Sequence, residues 1–308
     1  MSTTSSRHPA TLLLSATVIL TGYLWLFLHA ESETSVGVLL VLALVAGLAA
    51  SRLGLTRAVE DAGATRPGLA RLLSLLGALV LIALFYESHF ILLMICTVLL
   101  YVTACLGLTL QYGFAGVANF SGAAFFGIGA YATAVLATHT SLPHVLILLI
   151  SGVVAALVGS LLITPVLRTR GHYAALVTIA FGILFRTFIE VNDLLGGPQG
   201  LAVPGMNLFG IEFNDGFTFM GADVSFYVSY ALLSLGLCAG VFVIIKALER
   251  SWVGLSMDVV RTDETAAATF GLHIARWKVI AFMMGNFFAG VAGSVYGMLG
   301  AIKAVNMP

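Results

Sequence analysis

Charged residues are scarce in this chain of 308 residues. Asp, Glu, Lys and Arg together make up 9% of it, whereas apolar residues make up 60%. A water-soluble domain needs more polar surface than this composition can supply, which excludes an ordinary soluble globular protein. The 14 basic and 14 acidic residues cancel. The chain therefore lacks the net positive charge that would indicate a nucleic-acid partner.

Cysteine and lysine are also rare, and their positions exclude several kinds of site. The three cysteines lie inside apolar runs without CxxC spacing, which favours small packing residues over a disulfide or a metal site. None of the three lysines follows a glycine, so the chain has no G-x-x-x-x-G-K-[ST] loop for ATP phosphates. No Ser/His/Asp set or facing carboxylate pair is evident. We therefore expect neither an enzyme nor a bound cofactor.

Long apolar runs dominate what remains, and several approach the roughly 20 residues that cross a bilayer as a helix. Because lipid offers the backbone no hydrogen-bond partners, such runs predict an all-α, polytopic membrane helical bundle. The first run is too long for a typical signal peptide and lacks an A-x-A site, so we interpret it as a span. About nine transmembrane helices are predicted, over residues 11–30, 36–50, 72–86, 90–110, 121–139, 145–167, 171–190, 225–247 and 279–302.

The basic residues support this count, because Lys and Arg concentrate in cytoplasmic segments. With a cytoplasmic N-terminus, 12 of the 14 fall on the inside. The exceptions are Arg186, within a span, and Lys303, near the end of the chain. The predicted outer segments instead hold acidic residues. A wrong number of spans would destroy this separation, so we predict that the N-terminus is cytoplasmic.

Two predicted loops are long. Residues 191–224 form an outer segment with the turn signals GGPQG, VPG and NDG. Residues 248–278 lie inside and contain RTDETAAATFGLHIARWKV, an unusually polar stretch for this chain. There the run Thr262–Glu264 offers an N-cap with acidic residues in the first turn, and Gly271 stands where a helix would end. We expect a short helix, then a glycine turn, and then the return of the chain into the membrane at Trp277 beside basic residues. An amphipathic helix on the membrane surface is the alternative.

Four stretches, taken together, resemble one family. The inner loop carries E-x-A-A-x-x-x-G-[IL], a pattern typical of the docking loop of importer-type ABC permeases. YGFAGVANFSGAAFFGIGAYATAVLAT (112–138), LRTRGHYAALVTIAFGILFR (167–186) with LLGGPQGL (194–201), and the 249–297 segment with its small-residue helix follow in the family's order and spacing. The chain resembles the M-type permease subunit of the branched-chain amino acid importers over residues 90–308, whereas residues 1–89 lie outside the resemblance.

The resemblance implies a set of partners in the bacterial plasma (inner) membrane. These are two cytoplasmic ABC ATPase subunits that bind the ATP, a homologous second permease subunit and an extracytoplasmic substrate-binding protein. The residues expected to couple the permease to the ATPase are Asp263, Glu264, Ala266, Ala267 and Gly271. The outer segment would meet the binding protein. The substrates implied are branched-chain or related amino acids.

The chain also departs from the family in two places. His172 stands where the family usually has Asp after the glycine of the LRxRG run, so no role of that carboxylate is carried over. Family members continue past the FFAGVAG helix with further membrane segments, whereas this sequence ends at Pro308. We expect a shortened product or a pore completed in another way.

Four residues are candidates for the translocation path. Arg186 and Glu190 are four apart near the outer end of a span and share a helix face, where charge indicates either a structural pair or a role in transport. Asn119 and Ser121 begin a glycine-rich helix. Its glycines indicate close packing, but a broken helix with free backbone groups near Asn119 is the alternative.

Two further classes of function compete with an ATP-driven importer of branched-chain amino acids, and the related importers of urea or short amides are its nearest alternative. An ion-driven secondary transporter needs intramembrane carboxylates, and only Glu190 is placed within a span. A membrane scaffold without transport activity explains neither the docking pattern nor the long outer segment.

Overall fold

The structure is a computed structural model that describes residues 9–30, 32–168, 172–192, 195, 200–201, 203–208, 211–213, 217–219 and 222–300. Within these ranges, nine helices are long and apolar enough to cross a membrane, which confirms the predicted polytopic helical bundle. Each apolar run forms helix because only intrahelical hydrogen bonds satisfy its backbone in lipid. The chain divides into two compact units, Met1–Leu92 and Leu93–Pro308.

The first unit consists of four helices. They are α1 (Pro9–His29), α2 (Glu33–Arg52), α3 (Leu55–Thr65) and α4 (Pro67–Leu84). Helix α4 packs on α1, and Gly77 faces Thr21 and Thr17 there. The sequence did not predict α3, an amphipathic helix whose Ala62 is fully buried. Residues 51–71 stood only as the connection between two predicted spans.

The second unit begins with α5 (His89–Leu108), which crosses the division between the units. It continues through α6 (Gly122–His139), α7 (His144–Arg168), α8 (His172–Val191), α9 (Tyr227–Glu249), α10 (Trp252–Thr262), α11 (Glu264–Thr269) and α12 (Ile274–Gly300). The predicted spans agree with these bounds to within a few residues at most ends.

Helix α12 lies at the centre of the second unit and packs mainly on α6 and α7. Small residues make this close approach possible, as expected between membrane helices. A methyl group on Gly129 would collide with the Gly290 carbonyl, and one on Gly293 with the Phe126 carbonyl. Thr133, whose hydroxyl bonds those of Ser151 and Ser294, adds a buried polar link between α6, α7 and α12. The prediction that these glycines serve packing is thus supported by direct contacts.

The path from α5 to α6 is interrupted. After α5 the chain forms a π-helical segment, Thr109–Phe114, and then leaves helical structure until α6 begins at Gly122. Gly116 turns the chain with a φ of 67°, a conformation that a side chain would strain. We call residues 115–121 the break. It joins two separate membrane helices, so the broken helix that was the alternative interpretation near Asn119 stays a prediction.

The outer segment contains two short antiparallel ladders. In the first, β1 (Asn207–Leu208) pairs with β2 (Ile211–Glu212), and in the second, β3 (Phe217–Phe219) pairs with β4 (Ala222–Val224). The predicted NDG turn and most of the GGPQG turn lie outside the described residues. These few strand residues leave the fold a helical bundle.

Candidate functional site

A groove of about 880 Å³ lies between α6, its preceding break and α8. We call it the α6–α8 groove. Small residues along α6 and an open glycine on α8 leave the space between the two helices. Its walls are formed by Phe120, Ser121, Ala123, Ala124, Tyr131, Ile179, Gly182, Ile183, Phe185, Arg186, Ile189 and Glu190.

The two helices run in the same direction along the groove. The Phe120 backbone N–H donates to Thr178 Oγ1 at 3.1 Å, and one to two turns further on Gly127 is approached by the Phe185 ring. The lining residues extend from Phe120 to Tyr131 on one wall and from Ile179 to Glu190 on the other. Eleven residues of helix correspond to about 16 Å, roughly half the thickness of a hydrocarbon core.

Arg186 and Glu190 lie at one end of the groove and bind each other. Arg186 Nε donates to Glu190 Oε1 at 2.8 Å, and the side chains are 80% and 50% exposed in the isolated chain. An exposed ion pair of this spacing contributes little to helix stability in water, because solvent screens the two charges. Stability alone therefore gives little reason for two charges in a span. Their predicted role in transport stays a prediction.

Ser121 and Asn119 lie at the opposite end of the groove, where the break meets α6. Asn119 Oδ1 accepts from the Ser121 backbone N–H at 2.9 Å and from its hydroxyl at 2.6 Å. Ser121 lines the groove, whereas Asn119 stands behind it. The structure thus brings three of the four predicted path residues to one groove and places the fourth in contact with it.

Two residues that the sequence analysis did not select hold Asn119 in place. Asn119 Nδ2 donates to Gln111 Oε1 at 2.7 Å and to Asn286 Oδ1 at 3.2 Å, and Gln111 Nε2 donates to Asn286 Oδ1 at 2.8 Å. We call Gln111, Asn119 and Asn286 the amide cluster. The sequence did contain a signal for this cluster: Gln111 and Asn286 stand inside apolar runs, and a buried polar side chain needs hydrogen-bond partners. Which residues would supply them was not evident.

A second candidate site lies on the 248–278 loop, where α10 and α11 replace the single predicted helix. Asp263 is the N-cap of α11 and accepts from the backbone N–H groups of Thr265 at 2.8 Å and Ala266 at 3.0 Å. Gly271 ends the helix with a φ of 79°, and the Leu272 N–H returns to the Ala267 carbonyl. Both ends are thus fixed by the residues that the sequence indicated.

The other coupling candidates divide into exposed and buried residues. Glu264 is exposed and accepts from Lys278 Nζ at 2.5 Å, which joins the start of α11 to the first turns of α12. Ala266 is partly buried and Ala267 fully buried, so Ala267 positions α11 and cannot meet a partner through its side chain. The role of all five residues in coupling stays a prediction.

Phe270, directly before Gly271, is the residue on this loop that sequence reasoning missed. Its ring is 82% exposed, and it follows a helix whose other exposed residues are small or polar. An aromatic side chain so placed outside the spans costs free energy in water and gains it in an apolar pocket of a partner. Among the described residues, no group of three or more His, Cys, Asp or Glu side chains could hold a metal ion.

Comparison with known proteins gives the family. Residues 90–307 match the model of the family described as "Branched-chain amino acid transport system / permease component". The chain belongs to this permease family. The resemblance drawn from the four motifs is confirmed, and with it the interpretation of the chain as a multi-pass membrane permease component rather than an enzyme.

Two curated relatives are similar to this permease. Each is a "High-affinity branched-chain amino acid transport system permease protein LivM", from Escherichia coli (strain K12) at 35% identity and from Salmonella typhimurium (strain LT2) at 34%. Each match covers 212 residues, 64% of this chain and 50% of the relative. The permease thus spans about half the length of the curated relatives it matches. No solved structure matches it significantly.

Proposed function

We propose that this permease is the membrane subunit of an ATP-driven importer of branched-chain or related amino acids in a bacterial inner membrane. Its family and its two relatives support the class of substrate. The observation that carries the proposal is the end of α11 on the 248–278 loop, where the capped helix presents the exposed ring of Phe270. That surface suits docking on a cytoplasmic ABC ATPase, which would supply the energy.

The contacts of α11 indicate how a movement of the ATPase would reach the spans. Phe270 would occupy an apolar pocket of the ATPase, so the turn at Gly271 would move with it. The Glu264–Lys278 ion pair and the packing of α10 on α12 join the loop to the central helix of the second unit. Because α12 packs tightly on α6 and α7, displacement of the loop would move these helices as one body.

The α6–α8 groove is the part of the path that this permease would contribute. An amino acid carries a carboxylate and an ammonium group, which match Arg186 and Glu190 in charge. Ser121 and Asn119 would lie at the far end of the same groove. The groove is open along one side, and a homologous second permease subunit would close it. An extracytoplasmic binding protein would deliver substrate at the 191–224 segment.

A pull-down of the full chain tests the docking surface. We expect wild-type permease, co-expressed with the ABC ATPases of its own host and extracted from membranes, to retain an ATPase identified by mass spectrometry. Phe270→Ser should lose most of it, because the ring would no longer fill an apolar pocket. Leu255→Ser is the matched control: Leu255 is 61% exposed but lies on α10, outside α11 and the turn that Phe270 occupies, so its substitution should leave the ATPase bound.

Either of two results would contradict the proposal. If wild-type permease holds no ATPase, the loop is not a docking surface, and the alternative of an amphipathic membrane-surface segment explains it. If Phe270→Ser and Leu255→Ser retain equal amounts of ATPase, the aromatic ring is not the anchor.

A further inference from the structure

The break between the π-helical segment and α6 is held by side chains from distant parts of the chain. A non-helical connection leaves backbone groups without intrahelical partners, and those that are buried need partners from elsewhere in the protein. Here the Val117 N–H donates to the Gln111 carbonyl at 2.9 Å, the Phe120 N–H to Thr178 Oγ1 and the Ser121 N–H to Asn119 Oδ1. The end of the break next to α6 is thus tied to α8 through Thr178, and the other two bonds are local.

The hydrogen bonds of the amide cluster allow only one orientation of its three side chains. Gln111 Nε2 donates to the Phe282 carbonyl at 3.0 Å as well as to Asn286 Oδ1, which uses both of its N–H groups. Asn119 uses both of its own on Gln111 and Asn286. Rotation of the Asn286 amide by half a turn would place its N–H groups against two donors. The orientation of the Asn286 amide on α12 thus fixes that of Gln111 and Asn119, and through Asn119 the position of Ser121.

Glycines make the room that the cluster needs. A methyl group on Gly285 would lie 2.5 Å from Gln111 Nε2, and one on Gly159 would collide with Asn286 Nδ2. That nitrogen is buried and has no hydrogen-bond partner among the described residues. A buried donor without a partner is costly, so Asn286 is a poor choice for stability alone. What the position provides is an acceptor for two donors, Gln111 in the π-helical segment and Asn119 in the break.

The break also meets the 248–278 loop and the groove at its two ends. Gly116 faces Arg261 of α10, whose Cγ would lie 3.2 Å from an added methyl group. Phe120 and Ser121 line the α6–α8 groove. Asn119 lies between these ends and carries all the bonds from the cluster to Ser121. A change in the cluster would therefore alter the end wall of the groove, whereas none of the hydrogen bonds among its three amides reaches α11.

We propose that Asn119, held by Gln111 and Asn286, is a positioning residue that fixes Phe120 and Ser121 at the end wall of the α6–α8 groove. Its value for transport rests on the proposed function, whereas its effect on geometry does not. Removal of the cluster should let the break take several positions. Substrate would then meet an imperfectly formed wall, although the ATPase would still dock.

Pulsed electron paramagnetic resonance on purified full-length chain tests the geometry. Spin labels at Phe120→Cys and Val191→Cys, in a chain whose three native cysteines are replaced by alanine, report the length of the groove, because 13 residues of α8 from Thr178 to Val191 span about 20 Å. We expect one narrow distance peak in this background. Asn119→Ala and Asn286→Leu should each abolish the narrow peak. Asn119 is only partly buried, so its alanine variant should remain folded.

Thr133→Ala is the matched control, because it also removes a buried hydrogen bond to α12, here from α6 and away from the break. It should lower thermal stability and leave the narrow peak intact. An unchanged peak in Asn119→Ala and Asn286→Leu would overturn the inference, and so would equal broadening in Thr133→Ala, since that indicates general loosening.

Uptake separates this inference from the proposed function. In vesicles with its transport partners, Asn119→Ala should lower the maximal rate of leucine uptake about tenfold, as misplaced contact groups do. ATPase retention should stay at the wild-type level, and a loss of ATPase equal to that of Phe270→Ser would overturn positioning as the cause. Absence of leucine uptake in wild type would instead contradict the proposed function, while the distance peaks would still decide the geometry.

Discussion

Gly182 is the residue that leaves most room in the α6–α8 groove. The nearest atom to an added methyl group is Ser121 Cβ, 4.0 Å away across the groove. Gly182→Leu should fold normally, because the space is open and leucine favours helix. Its side chain would project into the proposed path. A barrier higher by about 1.4 kcal/mol lowers a rate tenfold, and we expect at least this loss of leucine uptake in vesicles with the partner subunits.

Gly236→Leu on α9 is the control for this substitution. Gly236 is exposed, lies outside the groove, and has no atom within 4 Å of an added methyl group. It should retain wild-type uptake. Equal uptake by Gly182→Leu and wild type would show that substrate does not pass through this groove.

Residue spacing determined how much of the site was predictable. Arg186 and Glu190 were recognised as neighbours because positions four apart share a helix face, and the structure pairs them. Gly271 was recognised because a glycine after a helix commonly adopts positive φ. The amide cluster was not, because Gln111 and Asn286 are 175 positions apart and no local pattern relates them. Phe270 escaped notice because exposure depends on how the whole loop folds.

Helix α11 is an element short enough to depend on its cap. It has six residues, and Asp263 provides acceptors for two of its first N–H groups. Loss of an N-cap side chain costs about 1 kcal/mol, which corresponds to roughly a fivefold change in an equilibrium. Asp263→Ala should therefore weaken binding of the ATPase about fivefold, measured by titration of detergent-solubilised permease with the purified partner.

Asp263→Asn distinguishes the cap from the charge. Asparagine caps helices as well as aspartate does, so this variant should bind the ATPase nearly as wild type does. If Asn and Ala weaken binding equally, the carboxylate meets the partner directly and the helix cap is not its role.

Helices could be predicted from the sequence where a single physical requirement determined the structure. The spans followed from apolar length, because nothing but helix satisfies the backbone in lipid. Helix α3 was missed because it is amphipathic and lies between two spans, where a polar connection has a similar composition. The π-helical segment and the break depend on bonds that Thr178, Phe282 and Asn286 supply from other helices. Such tertiary support has no counterpart in local sequence.

The arrangement of charge in the second unit gives it two chemically distinct ends. Between α6 and α7 the chain turns at Thr140–Pro143, which carries no charged residue, whereas the 248–278 loop carries both signs. Three spans, α7, α8 and α9, separate these two connections. An odd number of crossings places them on opposite sides of the membrane. Because basic residues favour the cytoplasm, the 248–278 loop should be cytoplasmic and the α6–α7 turn external.

Labelling of single cysteines in intact cells tests this orientation. In a chain whose three native cysteines are alanine, Ser141→Cys should react with a membrane-impermeant maleimide from outside. Phe270→Cys should react only after the cells are opened, although its side chain is 82% exposed in the isolated chain. Rapid labelling of the Phe270→Cys variant in opened cells is the control that the maleimide can reach this cysteine. External labelling at 270 with protection at 141 would invert the topology, remove the loop from any cytoplasmic ATPase and refute the proposed docking surface. External labelling at both positions would instead contradict the odd number of crossings between them.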